Sequence, residues 1–195
     1  MALIDFIKDF PDEESCRQKF KEYREQVGVT CRKCGGTDHY WKRDKEQYEC
    51  KHCRTRTTLR SGTILQGSKL PYHYWFITIH LLTSTKKTFS AKEIQRQLGH
   101  RRYHPIWVMV HKLRAAMGKR DEEYVLAGRI ELDEGFFTTE VPEEEKGRPL
   151  KRGRGSQKKS KVLVMAESEF VDNNHKGGKP RRVGYLKMKV IDNLQ

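Results

Sequence analysis

Two Cys-x2-Cys pairs, Cys31 with Cys34 and Cys50 with Cys53, constrain this chain more than any other feature. Each pair delivers two thiolates from one tight turn, and roughly 15 to 20 intervening residues let a hairpin carry both pairs to one tetrahedral Zn2+. Gly35 and Gly36 follow the first pair, and HYWKRDKEQYEC alternates aromatic with charged residues, as a short two-stranded ribbon does. Disulfides or a redox pair are the competing reading, which a reducing compartment disfavours. Four thiolates leave no open coordination position, so such a metal folds the module and does no chemistry. His39 and His52 are spare ligands by type, but exposed ribbon histidines are the plainer expectation.

The surroundings read as helical. Residues 12 to 26 form a helix capped by Asp12, with Glu13 and Glu14 in its first turn. Cys16 shares a face with Phe20, Tyr23 and Val27, which gives it a packing role. PYHYWFITIHLLTS, residues 71 to 84, starts with Pro and is apolar on nearly every side, so it belongs between other elements rather than on a stacking surface. SAKEIQRQLG pairs Ser90 with Glu93 in a capping box, sets Ile94 and Leu98 one turn apart, and stops at Gly99. After HRRYH, Pro105 opens a second helix with Ile106, Met109, Val110, Leu113 and Met117 on one face. The pair reads as a helix-turn-helix, with Arg101, Arg102, His104, Trp107, His111, Lys112 and Arg114 offered to a major groove and its phosphates. A plain helical hairpin with a solvated basic face is the alternative.

Charge supports the first of these. Forty Lys and Arg against 26 Asp and Glu give a formal net charge of +14, and a chain of that sign favours a polyanion because neutralised phosphates release counterions. Double-stranded DNA is the expected partner, and an anionic membrane surface the rival. No run approaches the roughly 20 apolar residues of a bilayer span, and MALIDFIKDF has acids where a signal peptide has bases. A soluble, cytoplasmic protein with no membrane partner is expected.

Beyond Gly128, RIELDEGFF reads as a strand of roughly eight residues, with Ile130, Leu132, Glu134 and Phe136 on one face and Glu131, Asp133 and Gly135 on the other. As a buried central strand it carries an expensive acid unless the carboxylate is paired, protonated or bound to a cation such as Mg2+. A salt-bridged edge strand is the other reading.

The order FPDEESC, CRKCGG, YECKHC, PYHYWF, SAKEIQRQLG, HKLRAAMG, IELDEGFF, KRGRGSQKKSKVLVMAE and GYLKMKVIDNL resembles insertion-sequence transposases with an N-terminal zinc ribbon before a DDE-type, ribonuclease-H-like catalytic domain. The resemblance implies that Asp133 is a catalytic ligand of Mg2+ or Mn2+, that the chemistry is phosphoryl transfer on DNA at transposon ends, and that two further acids or their stand-ins complete the site. VLVMAESEF and GYLKMKVID would be the second and third strands. Asp192 ends the third strand and Glu134 points away from Asp133, so neither is taken as a catalytic ligand, and the sequence ends at Gln195 without the later carboxylates. The expectation is a C-terminally truncated transposase, or a catalytically inactive zinc-dependent DNA-binding remnant, with an open sheet edge that invites a homo-oligomer.

The expected fold class is α+β with many elements. An N-terminal helix (1–29), a zinc ribbon (30–60) and a helix-turn-helix region (68–120) precede the first three strands of a ribonuclease-H-like α/β sheet (128–195). Between the first two strands TTEVPEEEKGRPLKRGRGSQKKSK swings from acidic to basic, and Lys151, Arg152, Arg154, Lys158 and Lys159 read either as a solvated loop or as a clamp on DNA. HKGGKPRRVG reads as a basic hairpin.

Overall fold

The computed structural model describes residues 2–85, 88–141, 143, 147, 149, 151–153, 156, 158–171 and 180–191. The chain divides into two compact units, Met1–Met117 and Gly118–Gln195. The first contains α1 (Leu3–Asp9), α2 (Glu13–Val27), β1 (His39–Lys42), β2 (Gln47–Cys50), β3 (Arg56–Thr58), α3 (Tyr72–Ser84), α4 (Ala91–Gln97) and most of α5 (Tyr103–Glu123). The second contains β4 (Ile130–Thr138), β5 (Lys159–Phe170) and β6 (Arg181–Ile191). Helices are thus combined with two antiparallel three-stranded sheets, ordered β1-β2-β3 and β4-β5-β6.

In the first unit α2 begins as its sequence dictates. Asp12 Oδ1 accepts from the Ser15 N–H at 2.8 Å, and the Asp12 N–H donates to Ser15 Oγ at 3.3 Å, closing a reciprocal cap. Glu13, the first helical residue, does something its position does not announce. Its two carboxylate oxygens accept the N–H groups of Tyr72 and His73, both at 2.8 Å. Pro71 at the start of α3 has no side chain to satisfy those donors, so an acid from another helix does it, at the end where the helix dipole favours negative charge.

One apolar core joins the ribbon to the helices. Tyr48 and Leu59 meet Cys16 of α2, Tyr72 and Trp75 of α3, Ile94 of α4, and Ile106, Met109, Val110 and Leu113 of α5 in a single cluster. Two arginines fix the turns around it. Arg24 donates to the carbonyls of Leu59 and Ser61, and Arg60 to those of Ser68 and Leu70 at 2.7 and 2.6 Å while its guanidinium lies over the Tyr72 ring.

Several expectations need correction here. The ribbon has three strands rather than two, because Thr57 and Leu59 are buried and draw the chain back along β2, with Tyr48 opposite Thr57. The apolar faces are shorter than helical periodicity suggested: Tyr23, Val27 and Met117 are exposed, whereas Cys16 is fully buried and Phe20 lies against the core. His39 is half-buried, its Nδ1 against the Thr37 carbonyl. Helix α1, not anticipated, anchors through Phe6, which is buried and stacks on His80 of α3 at 4.5 Å.

Helix α4 ends as its sequence requires. Ser90 Oγ accepts from the Glu93 N–H at 3.1 Å, although the Glu93 carboxylate turns to Arg96 and Gln97. Gly99, at φ 61°, donates to the Arg96 carbonyl, and His100 donates to that of Gln95, a Schellman stop. Gln95 Nε2 then holds the carbonyls of His100 and Arg101 at 2.9 and 3.2 Å, fixing the turn into α5, which starts at Tyr103, two residues before Pro105.

In the second unit β5 is the central strand and β4 lies at an edge. Of the two readings of the strand around Asp133, buried and central or at an edge, the edge position is the one found. Residues 130 to 134 of β4 are all exposed, Leu132 at 65%. Exposure removes the desolvation cost, so the acids of ELDEGFF demand no cation. Among the described residues of this unit the buried acid is Glu167 on β5, 7% exposed. Its carboxylate accepts from the Ala127 N–H at 2.7 Å and from the Tyr185 N–H at 2.9 Å, where the register of β6 shifts.

Candidate metal centre and nucleic-acid interface

The four paired cysteines converge. Their sulfurs all lie within 4.8 Å of one another, Cys31 to Cys53 at 3.5 Å and Cys34 to Cys50 at 3.6 Å. A disulfide needs about 2.05 Å, and all five cysteines are free thiols. Four sulfurs at about 2.3 Å from one tetrahedral centre would stand roughly 3.8 Å apart. Both the donor set and the spacing fit a structural Zn2+.

Local backbone geometry builds this arrangement. Cys31 N donates to the Gly36 carbonyl and Cys50 N to the Thr55 carbonyl, at 2.9 and 3.0 Å, so each knuckle folds back on itself. Gly36 lies against the cluster: a Cβ there would meet Cys34 Sγ at 3.4 Å and Cys50 Sγ at 3.6 Å, ordinary van der Waals contact. The N–H groups of Cys34 and Lys33 hold the Cys31 thiol below its ordinary range, and the Thr55 hydroxyl and N–H bring Cys53 down to about 6. The Gly36 N–H acts on Cys34 in the same sense but is outweighed by hydrogen bonding with Cys53 and Cys50, and Cys34 rises to about 12. Thiols this close share protons until a cation takes their place, so metal binding here releases protons.

Next to the cluster, Glu49 is buried and ringed by cations. Arg56 Nε is 3.1 Å from its Oε2, and Arg54 and Lys42 approach its Oε1 at 3.7 and 3.9 Å. The Arg56 hydrogen bond in particular holds its carboxyl below the usual range. Nothing in the local sequence pattern marked Glu49, because alternation alone does not tell which ribbon face is covered.

Residues 11–56 match the family described as a transposase zinc-ribbon domain. The matched segment takes in α2, β1, β2 and both cysteine knuckles. No curated protein and no solved structure gives a significant match.

The basic residues expected to meet DNA divide into two groups. Arg101, Arg102, His104, Trp107 and His111 are exposed at and along the start of α5, where Trp107 lies between His104 and His111 at 6.2 and 4.1 Å between ring centres. Lys112 and Arg114 are engaged within the fold. Lys112 Nζ donates to the Gln66 carbonyl at 2.6 Å, and Arg114 to that of Phe89 at 3.0 Å. In the other unit Lys151, Arg152 and Lys158 are exposed, Lys159 opens β5, and Arg154 lies outside the described residues, as do Asp192 and the first half of HKGGKPRRVG.

Asp133 stands alone. Its Oδ1 accepts from the adjacent Glu134 N–H at 2.8 Å, and among the described residues it belongs to no group of three or more metal-ligating side chains. Among the described residues one exposed carboxylate does not by itself make a catalytic Mg2+ or Mn2+ site, since the one or two acids that hold such an ion act together with waters and substrate phosphates. Among the described residues, no helix is long and apolar enough to cross a membrane.

Proposed function

We propose that this chain is a transposase-type DNA-binding protein, in which the zinc-stabilised first unit docks on duplex DNA and α4 and α5 act as a helix-turn-helix. The observation that carries the reading is the four-cysteine cluster within a segment matching a transposase zinc-ribbon domain, in a chain of net charge +14. In this reading His104, Trp107 and His111 face base edges, while Arg101 and Arg102 hold phosphates. Lys151, Arg152, Arg154, Lys158 and Lys159 add a clamp on the DNA backbone. The three antiparallel strands β4, β5 and β6 are the first strands of a ribonuclease-H-like sheet, with Asp133 at the position of its first catalytic acid. No chemical step is derived through a metal at Asp133, because the residues around it do not make a site. Among the described residues the outer edges of β4 and β6 carry no further strand, and edge pairing between two copies is the route to the expected homo-oligomer.

The exposure and isolation of Asp133 favour a second reading, a zinc-dependent DNA binder without catalytic activity. Fluorescence anisotropy with labelled duplex, run with zinc-loaded and chelated protein, tests the binding that both readings share. Binding that is lost on chelation is expected; a zinc-loaded chain without affinity for duplex at low salt sinks both. A nicking and joining assay with Mg2+ or Mn2+ on wild type and Asp133→Asn separates them, since metal-dependent cleavage that the substitution abolishes belongs to the first reading alone.

A further inference from the structure

A groove of about 790 Å³ opens in the first unit between residues 67–71 and the start of α5. Its floor is apolar, with Leu70, Val108 and Met109, and Lys69, Arg101 and Arg102 stand at its margins. Among the described residues no ion pair engages these three cations. Helix α5 has no acid in its first turn, so two arginines sit beside the positive end of a long helix whose first N–H groups have no partner within the helix. Like charges placed together in this way repel, and an anion between them turns the repulsion into attraction. The turn cannot relax by swinging away, because Gln95 Nε2 holds its carbonyls.

Trp75 forms part of the groove wall and is 1% exposed, and its indole N–H is buried without a hydrogen-bond partner. The nitrogen itself has almost no accessible surface, so a molecule in the groove acts on it only through the wall, which makes the Trp75 indole a reporter of an occupied groove.

We propose that this groove seats the sugar–phosphate backbone of a bound DNA strand, with one phosphate at the first turn of α5 between Arg101 and Arg102 and the next toward Lys69. Deoxyribose carbons cover the apolar floor, beside the buried Trp75 indole of the groove wall. This rests on the DNA-binding reading and deepens it: Lys69 becomes a DNA-binding residue, the Trp75 indole reports an occupied groove, and the two arginines fix the position of α5 rather than read sequence.

The test uses the zinc-loaded full chain and a labelled 20-base-pair duplex, measuring affinity against salt for wild type and for Arg101→Gln/Arg102→Gln. Every phosphate that a variant no longer neutralises makes the log–log slope shallower by about 0.9, so the double variant, which gives up the one phosphate held between its arginines, should bind with a slope shallower by about 0.9. In a 15N spectrum the Trp75 indole proton, assigned by eliminating the Trp41 and Trp107 signals with Trp41→Phe and Trp107→Phe, should shift on adding duplex. Wild-type binding with an unchanged slope in the variant and an unmoved Trp75 signal overturns this inference and leaves the DNA reading intact. Absence of duplex binding by wild type overturns both. A Trp75 shift with inorganic phosphate but not with duplex also overturns it, assigning the groove to a small phosphate ligand instead.

Discussion

Gly35 and Arg54 occupy the same station in the two cysteine knuckles. Each directly follows the second cysteine of its pair, each lies in the left-handed region at φ 72° and 59°, and each donates its N–H to the carbonyl of the first cysteine, Cys31 or Cys50, at 2.9 and 3.0 Å. The fold thus demands a left-handed residue twice and receives glycine only once. A non-glycine residue there costs roughly 1–2 kcal/mol, partly offset by the larger entropy glycine loses on folding. Arg54→Gly should therefore leave stability within about 1 kcal/mol of wild type, because Arg56 and Lys42 remain on the Glu49 carboxylate when the 3.7 Å contact of Arg54 is lost. Gly35→Ala, with open space around its Cβ but the same strained φ, should cost about 1 kcal/mol. Urea unfolding of the zinc-loaded protein distinguishes the two; equal losses at both positions would show that the knuckles are not equivalent.

Removing the metal should unfold more than the ribbon. Tyr48 and Leu59 belong to the same apolar cluster as Trp75, Ile94 and Ile106, and structural Zn2+ commonly supplies on the order of 10 kcal/mol to the fold that holds it. Chelation should lower the helical far-UV signal and release one Zn2+ per chain to a colorimetric indicator. A helical signal indifferent to chelation would mean that α3, α4 and α5 stand without the metal.

Cys16 lies outside the metal cluster and gives the fold an alkaline limit. Burial above all, then the charges of Glu13 and Asp12, push its thiol from an ordinary 9.0 to about 11. The folded state therefore keeps a proton that the unfolded state has lost, so this stabilisation is complete below pH 9.0 and fades as pH rises toward 11. Cys16→Ala removes the group together with its pH dependence. The stability gap between wild type and variant should narrow as pH climbs through that window; a constant gap would show that the thiol does not titrate there.

What the sequence disclosed was local. The cysteine spacing, the Asp12 cap and the Gly99 stop each depend on a few neighbouring residues and form as read, while Ser90 caps its helix without the reciprocal half that Glu93 would give a capping box. What escaped depends on partners far along the chain. Glu13 caps a helix 59 residues away, and Lys112 reaches a carbonyl 46 residues back, so a charge that read as free for DNA is spent on folding. ELDEGFF alternates as a strand should, but alternation does not count the layers above and below it. That is why the sequence left open whether β4 is a buried or an edge strand, and the structure places it exposed at an edge.

Glu167 shows the same long-range logic and gives the sharpest test of the second unit. Its carboxylate bridges the Ala127 N–H, before β4, and the Tyr185 N–H, which the register shift in β6 leaves off the ladder. Gly184 is required alongside, since a Cβ there would come within 2.8 Å of Glu167 Oε2. Ala127 and Tyr185 are exposed residues and both bonds are part-buried, so each loss costs less than the upper figure of about 3 kcal/mol for a hydrogen bond to a charged group. Glu167→Ala should therefore destabilise this unit by roughly 2 kcal/mol or more, and Glu167→Gln by about half as much because one acceptor oxygen remains. Gly184→Ala should act in the same direction by displacing the carboxylate from outside. Amide exchange locates the effect: the Ala127 and Tyr185 amides should exchange faster in the Ala variant, while those of Met109 and Val110 in the first unit's core stay unchanged. If Tyr185 remains protected without Glu167, the register shift is held by the strands themselves and the buried acid has another role.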